Sequence, residues 1–161
     1  MVRSLVVVLA AVAVILILTH RADPDPVKVV DPQPMLAVAR MQASFPVLIP
    51  QGVAGLRPTS VRWQPTAASG GAAVWHVGYL TDDGQYLQVS QSSAGDRAYL
   101  AEQTTQGQPQ SEVVVAGRTW KVWQSPSRTS LVSTAGGITT VVSGTMDVAR
   151  LSVIAGALTD A

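Results

Sequence analysis

The feature that most constrains this chain is a run of fourteen residues, Leu5 to Leu18, built only from Leu, Val, Ala and Ile. As a helix rising about 1.5 Å per residue, the run spans roughly 21 Å. The hydrocarbon slab of a bilayer is about 30 Å thick. Counting from Met1 to Thr19, with Arg3 snorkelling to the interface, closes most of that gap. Length alone does not separate a spanning anchor from the apolar part of a signal peptide. The flanking sequence is more telling. A signal peptidase wants small residues at the first and third positions before its cut. Here the chain reads Thr19-His20-Arg21-Ala22-Asp23-Pro24, and Ala22 is the only small residue placed for cleavage. Retention as an anchor over residues 1–19, in contact with membrane lipid, is therefore the expectation. Arg3 and the amino terminus favour a cytoplasmic start, whereas Arg21 and Lys28 flank the other end, so loop charge is nearly balanced. Export of a globular domain behind one apolar segment is the commoner outcome. The expected placement is a single-pass protein of the cytoplasmic membrane, N-terminus inside and C-terminal domain outside.

The bulk composition narrows the partners. Hydrophobic residues make up 47% and charged residues 13% of 161, and much of that excess lies in the first twenty positions. Pro32 to Ala161 carries eight Lys and Arg against seven Asp and Glu. Nucleic-acid binding needs clustered cations to release counterions, so no nucleic-acid partner is expected. No polybasic run marks anionic head groups. The absence of cysteine excludes disulfides, thiolate metal sites and a cysteine nucleophile.

Residues 20–31 hold two prolines and several charges without apolar periodicity, which reads as an extended tether. The domain then occupies residues 32–161. Asp31-Pro32 opens a helix expected to reach about Ser44, where Phe45-Pro46 stops it. Residues 45–58 form a proline-punctuated arm, read as irregular rather than as a strand. Strand-like runs follow at 59–64, 73–81 and 85–91, the last two joined by the hairpin signal Asp82-Asp83-Gly84. Gly95-Asp96 opens a helix to about Thr104. Four more strands are read at 112–115, 119–124, 130–133 and 138–143, and a final helix at 147–158. Consecutive hairpins imply an antiparallel sheet of about six to seven strands, with two or three helices covering its apolar face. The fold class is α+β, preceded by one N-terminal transmembrane helix.

Several stretches carry a resemblance: Met-Val-Arg-Ser-Leu at the start, Phe45-Pro46-Val47, Leu56-Arg57-Pro58-Thr59-Ser60, and Trp75-His76-Val77-Gly78-Tyr79-Leu80-Thr81. Gly84-Gln85-Tyr86, Gln91-Ser92 leading to Asp96, Val115-Ala116-Gly117-Arg118-Thr119-Trp120 and Val142-Ser143-Gly144-Thr145 extend it. In these the chain resembles the actinobacterial single-pass membrane proteins of domain-of-unknown-function family 4245. The resemblance implies an anchored domain on the outer face of the cytoplasmic membrane and implies no activity.

Candidate chemistry is sparse. His76 alternates with Trp75 and Val77, so it points to the opposite face, and no second histidine in the domain accompanies it as a metal ligand. Asp82 and Asp83 read as turn formers ahead of Gly84. Gly-x-Ser-x-Gly, Ser-x-x-Lys and phosphate-loop spacings are absent. Trp120 and Trp123, three apart in one strand, point to opposite faces, and an exposed indole there would suit a sugar or a partner peptide. Arg118 beside them suits a carboxylate. Trp120, Trp123, His76 and Arg118 are thus the candidate contacts for an unknown protein or glycan partner, with no catalytic residue, cofactor or metal expected. The expected function is a non-catalytic binding or envelope-associated module. The alternative is an exported hydrolase-like enzyme with a carboxylate-based site, marked by a deep pocket with two carboxylates about 5–10 Å apart.

Overall fold

A computed structural model describes residues 28–66 and 71–160, together with Val12. Apart from Val12, the expected anchor over 1–19 and residues 20–27 of the expected tether lie outside the described residues. Among the described residues no helix is long and apolar enough to cross a membrane.

The domain is α+β, as the hairpin spacing implies. Helix α1 (Gln33–Gln42) leads to strand β1 (Leu48–Pro50) and then to a meander of β2 (Leu56–Gln64), β3 (Val74–Thr81) and β4 (Tyr86–Ser92). Helix α2 (Arg97–Gln103) separates this from a second meander, β5 (Gln108–Val115), β6 (Arg118–Gln124), β7 (Thr129–Ala135) and β8 (Ile138–Gly144). Helix α3 (Val148–Gly156) and strand β9 (Leu158–Asp160) close the chain. The seven long strands form one sheet in the order β2-β3-β4-β8-β7-β6-β5, and β1 pairs with β9 in a separate ribbon. All pairings are antiparallel. The two meanders join where β8 returns beside β4, Val89 facing Val142.

Each helix starts on a legible signal. The Asp31 carboxylate accepts from the Gln33 amide at 3.0 Å, ahead of Pro34. Asp96 and Asp147 cap α2 and α3, accepting from Tyr99 and Arg150 at 2.8 Å. An acidic side chain there satisfies one of the orphan amides of the first turn and complements the helix dipole. These helices are too short to stand alone in water. Packing holds α1 and α3: Leu36, Ala39, Leu151, Ile154 and Ala155 are buried with Trp75, Val77, Leu87, Val89, Leu131 and Val142 on one sheet face. Burying Leu36 completely is worth about 1.5–3 kcal/mol.

Four expectations need correction. The helices do not share one face. Tyr99 of α2 packs with Val132 and Val141, whose side chains alternate with Leu131 and Val142, so α2 covers the opposite side from α1 and α3. The proline-punctuated arm is not wholly irregular, because Leu48–Pro50 pairs with Leu158–Asp160. That pairing also ends α3 at Gly156, short of the expected Leu158. Finally, β5 begins at Gln108, in a polar stretch whose pairing with β6 outweighs its low strand propensity.

Candidate functional site

The strand alternation that buries Trp75 and Val77 turns His76 toward α2, as expected. Across the ladder His76 faces Ser90. This second face is polar in its centre. The Tyr99 hydroxyl donates to Ser90 Oγ at 2.8 Å, and Ser90 Oγ donates to the Trp75 carbonyl at 3.1 Å. Gln88 Nε2 donates to both the backbone and the side-chain oxygen of Gln103, at 3.2 and 3.1 Å. The Gln88 side-chain oxygen accepts from the Tyr86 hydroxyl and from Arg128, whose guanidinium lies 4.5 Å from the Tyr86 ring centroid. Buried polar groups are tolerated because each is paired, and the network fixes α2 in register.

Beside this network lies a pocket of about 270 Å³, lined among others by Arg62, Gln64, His76, Tyr99, Glu102 and Gln103. Burial lowers the His76 pKa first and the Arg62 charge lowers it further, against opposing effects from Gln103 and Glu102. The imidazole is therefore neutral at pH 7 and offers one donor and one acceptor. Serine, histidine and a carboxylate thus meet here, the residue types of a nucleophilic triad. Their geometry points elsewhere. Ser90 is fully buried, its proton is directed to a carbonyl and its oxygen is occupied by Tyr99. A nucleophile needs its base within reach and its oxygen open to substrate. What the pocket presents to solvent is a cation at Arg62, an acceptor at Glu102, and the His76 and Gln64 side chains.

The other candidates divide between the two faces. Trp120 lies on the α1–α3 face and is 1% exposed. Arg118, on that same face, places its guanidinium 5.7 Å from the Trp120 ring centroid, and the two line a small cavity of about 130 Å³ with Leu48, Val115 and Gly156. Trp123 lies on the α2 face, half-buried against Tyr99, Val132 and Val141. The indole N–H groups of Trp120 and Trp123 are both buried without an acceptor among the described residues. The structure therefore brings Arg118 and Trp120 together, and places His76 and Trp123 on the opposite side.

A third concavity of about 320 Å³ lies between residues 53–56, the β3–β4 turn and α3. Its floor and walls are apolar, with Val53, Leu56, Met146, Val153 and Ile154, and its rim holds Asp82, Asp83 and Arg150. Asp83 accepts from Arg150 at 2.7 Å and from the Thr81 hydroxyl. Arg150 and Thr81 hold its carboxyl down to about 2. That is the opposite of what a general acid needs. Asp82 lies 3.7 Å from Arg57 Nε. The two carboxylates are turn residues each beside its own arginine. Among the described residues no group of three or more His, Cys, Asp or Glu is arranged to hold a metal ion.

Sequence reasoning did not single out Gln88, Ser90, Tyr99 or Gln103. The strand offered little signal, because Gln88 and Ser90 alternate with Leu87 and Val89 as in a sheet with one face to solvent, and only Gln91 breaks that pattern. Comparison with known families then places the chain. Residues 1–158 match the family model described as "Protein of unknown function (DUF4245)". The chain belongs to the DUF4245 family. No curated protein and no solved structure matches it. The resemblance read from Trp75–Thr81 and Val115–Trp120 is thereby established as membership, and those two stretches of the DUF4245 domain are the strands that carry His76, Arg118 and Trp120.

Proposed function

We propose that this DUF4245 protein is a non-catalytic binding module of the cell envelope. In this reading residues 1–19 cross the cytoplasmic membrane once, residues 20–31 form the tether, and residues 32–161 stand outside. The placement is supported by the apolar run Leu5–Leu18 and the poor cleavage site after it. The observation that carries binding over catalysis is the pairing of Ser90. The hydroxyl of Ser90, the partner of His76 across the ladder, is sealed between Tyr99 and the Trp75 carbonyl, while Arg62, Gln64 and Glu102 remain exposed around the pocket. A rigid polar pocket with one cation and one carboxylate suits a hydroxylated or charged group on a glycan or protein partner.

The test is site-specific photo-cross-linking in native membranes with the anchor intact. A photoreactive residue replaces exposed Gln64, and a control places it at exposed Ser111 on β5. The expected result is a discrete adduct from position 64 that disappears in the Arg62→Ala/His76→Ala background. Equal adducts from both positions, or an adduct indifferent to Arg62 and His76, would overturn the reading.

A further inference from the structure

The pocket on the α2 face is shaped as a trough whose two sides carry opposite charges. Its floor is β3, where Val74 and His76 point toward α2. On one side stands the edge strand β2, with Arg62 directly across the ladder from His76 and Gln64 across from Val74. On the other side stands α2, held over β4 by the bonds from Tyr99 to Ser90 and from Gln88 to Gln103. Glu102, beside Gln103, lines the pocket from that helix. Arg62 and Glu102 therefore rise from opposite sides, with the imidazole between them.

The two charges do not close on each other. Among the described residues the ion pairs within 4.0 Å are Arg57 with Asp82 and Arg150 with Asp83. Arg62 and Glu102, both exposed, are left without an oppositely charged neighbour at that distance. Both act on the histidine: after burial, which lowers its pKa most, Arg62 lowers it further and Glu102 raises it. The other polar groups here are engaged. Tyr99 is bonded to Ser90, and Gln88 to Gln103. Arg128, the other cation that acts on His76, is bonded to Gln88 and lies over the Tyr86 ring. What the trough leaves for a ligand is one cation, one carboxylate and a neutral imidazole. A ligand of a single sign would pair with one rim charge and face the other uncompensated. A ligand bearing both signs matches both. At about 270 Å³ the pocket falls below the roughly 300–1,000 Å³ of sites that enclose drug-sized molecules, so the ligand is small.

We propose that this trough takes a compact zwitterion, an ammonium and a carboxylate on one carbon as in an α-amino acid, with the carboxylate on Arg62, the ammonium on Glu102 and the His76 imidazole between them. The inference rests on the reading of this pocket as the binding site and names the ligand that the site selects. The guanidinium fork suits a carboxylate, and the Glu102 oxygens accept from an ammonium. The bonds that pin α2 to β4 hold the two sides apart before the ligand arrives, which lowers the ordering cost of binding.

The test is calorimetry on the full chain in detergent micelles with serine as the probe. Ethanolamine keeps the amine alone, lactate the carboxylate alone, and glucose hydroxyls alone. Serine should bind at least about tenfold more tightly than any of the three, the worth of one charge-assisted hydrogen bond. Arg62→Gln should remove the advantage of serine over ethanolamine, and Glu102→Gln its advantage over lactate. Both changes are at exposed positions and should leave the urea midpoint unchanged, which separates lost contact from lost fold. Serine is then added to the photo-cross-linking at position 64. Loss of the adduct assigns the zwitterion to the partner, and serine binding without any adduct assigns it to a free amino acid. Serine no tighter than its analogues, or an adduct that persists in saturating serine, overturns the inference and leaves the binding reading standing. No binding of any probe, together with no adduct from position 64, overturns both.

Discussion

Gln91 offers the sharpest test of how this fold is held together. It lies on β4, is 2% exposed, and points into the α1–α3 core, where a glutamine is unexpected. Its side-chain oxygen accepts from the Leu48 amide at 2.7 Å and its amide donates to the Pro46 carbonyl at 3.1 Å. Trp75 adds a third tie, from its indole to the Leu48 carbonyl at 3.2 Å. The arm of residues 45–50 thus satisfies backbone groups on side chains of the sheet rather than on a neighbouring long strand. Gln91→Leu fills nearly the same space but leaves the Leu48 amide with no partner, at a cost of about 1–3 kcal/mol. The Pro46 carbonyl is nearer solvent and adds less, about 0.5–1 kcal/mol. A gain of about 1 kcal/mol from the more apolar side chain offsets part of this. The expected net loss is about 0.5–3 kcal/mol, read as a lower urea midpoint with unchanged slope by tryptophan fluorescence. Gln91→Glu keeps the acceptor and loses the donor, and buries a charge at neutral pH. It should be the worse variant at pH 7 and should recover as the pH falls and the carboxyl regains a proton, whereas Gln91→Leu should show no such recovery. A loss below about 0.5 kcal/mol for Gln91→Leu, or identical pH profiles for the two variants, would refute the claim that these bonds hold the arm.

Three further outcomes are expected. Gly144→Ala places a Cβ 2.6 Å from the Tyr86 carbonyl oxygen on the neighbouring strand, and should cost about 2–3 kcal/mol in urea unfolding. Thr105 follows α2 with φ 55, while its amide bonds the Glu102 carbonyl and the Gln106 amide bonds that of Ala101, a Schellman ending that glycine suits best. Thr105→Gly should therefore stabilise by about 0.5–1 kcal/mol, measured as a raised urea midpoint, after the extra freedom of glycine in the unfolded chain is subtracted. His76 has a folded pKa below its unfolded value of about 6.5, so the unfolded chain takes up the proton first. Stability should hold above pH about 6.5, fall as the pH drops toward the lowered folded value, and level off below it. His76→Gln should flatten that slope between pH 6.5 and the lowered value in unfolding titrations.

The fold was legible where sequence encodes it locally. Asp82-Asp83-Gly84 announced its hairpin, Asp31, Asp96 and Asp147 announced their helices, and the alternation of Trp75, His76 and Val77 set which face each would take. The sheet order and the opposite placement of α2 were not legible, because both depend on which apolar patches meet in space. The polar second face was hidden for a related reason. Ser90 and Gln88 look like solvent-facing residues in a strand, and only the return of α2 over them, with Tyr99 and Gln103, makes them buried and paired. The same holds for β5, whose Gln108–Ser111 segment becomes a strand through β6. The candidate residues met a mixed outcome: Arg118 and Trp120 share a cavity, whereas His76 and Trp123 stand on the other face.

The central claim is that the domain stands outside the cytoplasmic membrane behind a retained N-terminal anchor. The chain contains no cysteine, so Ser111→Cys, at an exposed position of β5, introduces a single thiol. Intact cells are treated with a membrane-impermeant maleimide, then fractionated with alkaline carbonate. The account predicts labelling of the full-length chain in intact cells and its retention in the carbonate-resistant membrane. Labelling that appears only after lysis, or a labelled chain shortened by the first twenty-odd residues and recovered in the medium, would contradict it.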